Sequence, residues 1–143
     1  GRPRTFHTYW ARGAGADEIV DDGTLVPTAV GGSVPFAPEV TIPTLLAMRR
    51  QWGDDLFGRY GFLDAFNPTL RTQAGVPRLG HGRIVEGKGW FDGDYLGIDQ
   101  GPIVAMVENY RSDLIWRLMR KNPHVRRGLC RAGFTGGWLA GQC

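Results

Sequence analysis

With only two cysteines, Cys130 and Cys143, the chain has no disulfide framework; one bridge near the C-terminus is open to them, and two independent thiols are the plainer reading. Lysine is almost missing: Arg supplies 15 of the 17 basic residues, and against 14 acidic residues the net charge is +3. That balance is too small to imply a nucleic-acid partner. Long apolar runs are missing too, since charge, Gly or Pro interrupts each one well short of the roughly 18 residues of a membrane span. His7, His81 and His124 are scattered, without His-Glu-x-x-His or Cys-x-x-Cys spacing, so the sequence offers no metal-ligand set. Gly13-Ala14-Gly15 and Gly80-His81-Gly82 lack the third glycine of a dinucleotide fingerprint and read as turns. There is neither a phosphate-binding Gly-Lys-Ser/Thr loop nor a Gly-x-Ser-x-Gly elbow, and no cofactor is expected. Gly1-Arg2-Pro3-Arg4-Thr5 carries no initiator Met, apolar h-region or cleavage motif, so it speaks neither for nor against secretion and reads as an interior start.

Glycine is what the chain has in excess: 22 of 143 residues, with nine Pro beside them. Low-complexity disorder is a poor fit, because the glycines follow no repeat and five Trp, four Tyr and seven Phe lie among them. With 42% hydrophobic residues the composition suits a globular piece with long, ordered, aromatic-rich loops, where sites tend to be built.

Hydrophobic spacing predicts a mostly helical chain. Two aromatic-basic patches open it, and residues 21–36, punctuated by Gly and Pro, read as an ordered loop with a short strand. Ile42, Leu45, Leu46, Met48 and Trp52 mark a first helix, from Pro38 or Thr41 to Trp52, with Gly53 as its cap. Starting at Thr41, the helix would hold Pro43 harmlessly in its first turn; starting at Pro38, it would contain Pro43 as a kink. Residues 69–95 show no periodicity. Gly101-Pro102 predicts the next helix start, and Ile103, Val107, Tyr110, Leu114 and Leu118 form its apolar stripe, with a break expected at 109–112. Asn122-Pro123 predicts a last helix ending at Gly133, followed by a Gly-rich tail from 135 to 143.

Two carboxylates stand at helix starts behind loops rich in Gly, Pro and aromatics. Asp99 precedes Gly101-Pro102, where the positive helix end and free backbone N–H groups suit an anion, and Glu39 opens the first helix. An N-cap and a first-turn Glu are the plain structural readings of the two. Brought together, they match the pair of carboxyls that glycoside hydrolysis needs, with Trp90 and Tyr95 to stack on sugar rings. Asp64 and Asn67 are further hydrogen-bonding candidates, Asn67 with the plain reading of a turn initiator before Pro68. Asp92 and Asp94 read as a solvated turn, and Glu108 as an Arg-paired helix residue. The Arg-rich helices from Arg117 to Arg131 read as a solvated outer face.

Several segments resemble the bacterial glucoamylase-like family, which includes endo-β-1,2-glucanases and a region of the cyclic β-1,2-glucan synthases. They are Pro27-Thr28-Ala29 with Gly32-Ser33-Val34-Pro35-Phe36-Ala37-Pro38-Glu39, then Tyr60-Gly61-Phe62-Leu63-Asp64-Ala65-Phe66-Asn67, and Tyr95-Leu96-Gly97-Ile98-Asp99-Gln100-Gly101-Pro102-Ile103-Val104 with Glu108-Asn109-Tyr110-Arg111. The resemblance implies an all-α fold, here a partial (α/α)6 toroid with long ordered loops, and inverting hydrolysis of glucans, β-1,2-linked ones first, without metal or cofactor. It makes Asp99 the general base or a close substrate ligand, Glu39 a second cleft carboxylate, and Asp64, Asn67, Trp90, Tyr95 and Gln100 sugar contacts. A whole toroid takes roughly two to three times this length. Residues 1–134 are therefore expected to be the C-terminal part of the catalytic domain, with the general acid upstream and the N-terminal part as a partner beside the glucan. By the same resemblance the location is periplasmic or secreted. The alternative is a non-catalytic carbohydrate-binding or structural fragment.

Overall fold

In the computed structural model, which describes residues 6, 13–14, 19–74 and 79–143, helices dominate, with one small antiparallel sheet ahead of the first helix and two more between later helices. Most of the first aromatic-basic stretch, with His7 and Gly15, lies outside the described residues. The first sheet pairs β1 (Gly13–Ala14) with β2 (Ile19–Val20).

Where a loop is expected, Pro27–Gly32 forms helix α1. Pro27 enters it with a preset φ and no N–H to satisfy. Two glycines oppose helix formation, but their small size lets α1 approach a later helix. A Cβ on Gly31 would stand 3.0 Å from Ile103, and one on Gly32 3.8 Å from Pro102. Tertiary packing thus outweighs local propensity.

Helix α2 spans Pro38–Trp52, with Met48 buried and Gly53 closing it at φ 51°. It starts at Pro38, so Pro43 sits inside it without a donor for the preceding turn. Two hydroxyls reinforce that turn: Thr41 donates to the Ala37 carbonyl at 2.9 Å and Thr44 to that of Val40 at 2.7 Å.

The segment between α2 and the next long helix corrects the all-helical expectation. A 3₁₀ turn at Gly53–Asp55 leads into a hairpin of β3 (Phe57–Gly58) and β4 (Gly61–Phe62). Strands β5 (Phe66–Asn67), β6 (Arg83–Val85) and β7 (Gly89–Phe91) then form a sheet in the order β5-β7-β6. Asn67 and Ile84 both pair with Trp90. Strands of two or three residues are too short to display a period of two, and β7 is buried on every residue, which erases alternation altogether. The core lies between α2 and this sheet: Leu56, Phe66 and Phe91 are fully buried, joined by Met48 and Leu63. Trp52 packs on Phe66 with ring centroids 4.4 Å apart, and Phe66 stacks on Phe91.

Helix α3 runs from Gly97 to Ser112, so it begins before the Gly101-Pro102 pair and holds Pro102 internally. Asp113 adopts a left-handed φ of 56° and breaks the chain into α4, Leu114–Lys121. Buried Asn109 joins the two by accepting the Trp116 N–H at 3.0 Å. Glu108 pairs with Arg111, as expected of it. Helix α5, Pro123–Arg131, opens as its Asn-Pro pair predicts, with the Asn122 side chain accepting the His124 N–H at 2.9 Å.

The two cysteines form the single bridge that the sequence left open, in place of the independent thiols of the plainer reading. Gly133, at φ 85°, and a 3₁₀ turn at Gly137–Leu139 fold the tail back, bringing the two Cα atoms to 5.5 Å. Leu139 is buried, and Trp138 joins Trp116, Met119, Val125 and Leu129 around a cavity of about 300 Å³ against α4 and α5. Reducing the bridge, or Cys143→Ser, is expected to free this turn. Trp138 fluorescence shifts to the red, while global stability falls by no more than about 3 kcal/mol, the scale for a loop of this length. An unchanged spectrum contradicts a tail held by the bridge.

Candidate functional site

Three stretches meet at the start of α3. The β3–β4 hairpin is fastened there by Gln100, whose Nε2 donates to the Phe62 carbonyl at 2.8 Å. The end of the hairpin joins the loop before α3 through the Asp64 N–H, which donates to the Asp94 carbonyl at 3.2 Å. That loop brings Tyr95, half-buried, edge-on to Tyr60 with centroids 5.4 Å apart. Close approach requires glycine at position 58, where a Cβ would fall 2.3 Å from the Tyr95 hydroxyl. Asp64, Tyr95 and Gln100 are thereby gathered around the first turn of α3.

Asp99 lies in that first turn, half-buried, while Leu96 holds the N-cap position. Its backbone N–H donates to the Leu96 carbonyl at 3.0 Å. Glu39 lies exposed in the first turn of α2. The chain between α1 and Glu39 is anchored on the α3–α4 pair, with the Phe36 ring 5.7 Å from that of Trp116. The two carboxylates thus open helices that both pack against α1. Among the described residues no side-chain hydrogen bond or ion pair occupies either one.

Asn67 and Trp90 occupy a different position from the one expected of sugar contacts. They pair across β5 and β7 at 1% and 0% exposure. The Trp90 indole N–H donates to the His81 carbonyl at 3.0 Å, and no ring face is open to a ligand. The Asn67 amide donates to the Asp22 carbonyl and accepts from the Thr69 N–H and hydroxyl. It borders a cleft of about 360 Å³ with Phe6, Gly23 and Leu70, but both ends of its amide are already bonded. Both residues build the platform under the loops; strand burial, invisible in so short a pattern, is the reason.

Asp92 corrects the solvated-turn reading. It is 1% exposed, its N–H donates to the Ala65 carbonyl, and its carboxylate accepts the Asp94 N–H at 3.2 Å. Burial pushes its carboxyl above the usual range, opposed by the backbone N–H groups of Asp94 and Gly93; the Asp94 charge raises it further and His81 lowers it. A folded-state pKa above the unfolded one means stability is fully present below the ordinary carboxylate range and is lost as pH rises through the raised value. Asp92→Asn keeps the turn's acceptor without the charge. Urea unfolding is therefore expected to find it at least as stable as wild type at pH 7, with the difference vanishing in acid. A large loss at pH 7 contradicts this.

Among the described residues no group of three or more His, Cys, Asp or Glu could hold a metal ion, and no helix is long and apolar enough to cross a membrane.

Residues 2–123 match the Glycoamylase family, described as "putative glucoamylase". Over 109 residues the chain is 33% identical to the exo β-1,2-glucooligosaccharide sophorohydrolase (non-reducing end) of Parabacteroides distasonis, covering 76% of this chain and 13% of that protein. An endo-β-1,2-glucanase from Chitinophaga pinensis, solved with sophorotriose and glucose, superposes with a TM-score of 0.63 at 36% identity, over 83% of this chain and 24% of that one. A Bacteroides uniformis protein that shares the family's description superposes at 0.66 with 42% identity, again over 83% and 24%. The chain thus spans under a quarter of each of these relatives. Its segments follow theirs in sequence and in backbone alike, and the chain belongs to the Glycoamylase family.

Proposed function

We propose that this chain supplies one wall and one catalytic carboxylate of a hydrolase acting on β-1,2-glucan with inversion. The observation that carries this reading is Asp99: a half-buried carboxylate without a side-chain partner among the described residues, in a helix first turn, beside Gln100 and Tyr95. The relatives that act on β-1,2-glucan and its oligosaccharides supply the substrate class. In an inverting hydrolysis a carboxylate draws a proton from water as its oxygen attacks the anomeric carbon, while an acid on the opposite side protonates the departing glycosidic oxygen. Asp99 takes the base role here and Glu39 faces the cleft as a second carboxylate. Tyr95, Gln100 and Asp64 hold hydroxyls and ring faces, and the acid comes from the remainder of the protein. Asn67 and Trp90 support the site from beneath. The Cys130–Cys143 bridge favours an oxidising compartment.

The test is a linkage panel. The intact protein is expected to release reducing ends from β-1,2-gluco-oligosaccharides and not from β-1,4- or α-1,4-linked ones of equal length. Turnover confined to another linkage overturns the assignment. A second reading is a non-catalytic carbohydrate-binding piece, on which even the intact protein binds glucan without cleaving it. Calorimetry showing affinity for the oligosaccharide without product separates this from the first.

A further inference from the structure

We propose that Tyr60 is a stacking platform for a glucosyl unit of the substrate, placed beyond Tyr95 from the start of α3. The proposal rests on the glucan-hydrolase reading above. Arg59 and Tyr60 form the two-residue tip between Gly58 and Gly61, which pair with each other, and Gly61 takes a φ of +102° to close the turn. Tyr60 is left 65% exposed. An exposed ring at a hairpin tip is ordinarily free to move, but this one is held. Phe57 and Phe62 cross edge to face at 4.9 Å beneath the tip, and the Arg49 guanidinium covers Phe57 at 4.6 Å. Tyr60 itself stands perpendicular to Tyr95, with the Arg59 guanidinium 5.3 Å from its ring centre.

The tip is also tied to the reacting end of the site, since the residue next to Asp99 binds the Phe62 carbonyl. The other exposed aromatics among the described residues lack this link. Phe36 leans on Trp116, and Tyr110 and Phe134 lie toward the far end of α3 and beyond α5. A pyranose presents C–H bonds on its faces, whose partial positive charge suits the negative face of a phenol ring. A preordered ring loses little conformational entropy when the sugar arrives. The Arg59 guanidinium lies over one face of the ring, so the sugar takes the other, with the guanidinium donors near its hydroxyls.

The experiment compares wild type with Tyr60→Ala, Tyr60→Leu and Tyr60→Phe in the intact protein, measuring kcat and KM on β-1,2-gluco-oligosaccharides and affinity by calorimetry. Tyr60→Ala and Tyr60→Leu are expected to raise KM and Kd about tenfold, a loss on the scale of one aromatic contact, with kcat changed less than KM. Tyr60→Phe recovers most of the affinity, because the ring and not the hydroxyl does the stacking. If Tyr60→Ala binds as tightly as wild type, or loses kcat alone, the stacking role falls while the hydrolase reading stands. If wild type binds no glucan, both fall. Melting temperatures identify a folding defect, and if Tyr60→Ala is misfolded the well-folded Leu and Phe variants decide: equal affinity of those two overturns the proposal.

Discussion

Asp99→Asn is expected to lower kcat on β-1,2-glucan by about 10³-fold in the intact protein, within the range attributed to a positioned general base. Asn matches Asp in shape and can still hydrogen-bond water, but it cannot take the proton that the attacking water releases. KM should stay within about threefold, since removing a function expressed in the transition state leaves ground-state binding largely intact. Stability should hardly move. No side chain among the described residues bonds to the Asp99 carboxylate, and its backbone contacts to Leu96 survive the substitution. An unfolding free energy within about 0.5 kcal/mol of wild type, the usual range for such positions, separates a lost base from a damaged fold. Turnover within tenfold of wild type at saturating substrate removes Asp99 from the base role.

Trp90→Ala is expected to cost about 3–5 kcal/mol of folding free energy, the range for truncating a large buried aromatic. Trp90 is fully buried between Asn67 and Ile84 in the middle strand of its sheet, and its ring meets that of Phe6 edge-on at 5.0 Å. Truncation empties this space and leaves the His81 carbonyl without its indole donor. Against a typical total of about 5–15 kcal/mol, such a loss unfolds a large share of the molecules under mild stress. Trp90→Phe should fall between the two, restoring most of the volume but not the hydrogen bond. Because β7 runs directly into Asp92, Tyr95 and α3, activity should decline with the folded fraction and recover where the fold is stabilised. A urea midpoint shift equivalent to less than 1 kcal/mol contradicts the assignment of Trp90 to the core.

What could be read from the residues were the features with a local cause. The apolar spacing and Gly53 marked α2, Asn122-Pro123 marked the start of α5, and Glu108 found its arginine. The features set by distant contacts were missed. Helix α1 contains two glycines and exists because those glycines let α1 pack on Ile103 and Pro102 of α3. Helix α3 starts ahead of its proline, with Gln100 fastened to the distant hairpin, and Asp99 is a first-turn residue instead of a cap. The disulfide depends on a tail that turns back at Gly133 and Gly137, and two cysteines alone cannot announce it.

The candidate site was legible in part for the same reason. Asp99 and Glu39 were visible as carboxylates at helix starts and Tyr95 as an aromatic ahead of one of them, while Gln100 came only through the family resemblance. Trp90 and Asn67 attracted attention as an aromatic and an amide near turns, yet pairing across β5 and β7 buries both. Asp92 looked like half of a solvated Asp-Gly-Asp turn, and its burial follows from the strand ending directly before it.

The most direct measurement of the central claim is proton NMR of the intact protein acting on β-1,2-glucan, followed from the first minutes. The account predicts loss of internal β-1,2-linked anomeric signals and the appearance of α-anomeric reducing ends before mutarotation equalises them, all absent with Asp99→Asn. Unchanged β-1,2-glucan, β-anomers appearing first, or the same time course in the Asp99→Asn variant would contradict it.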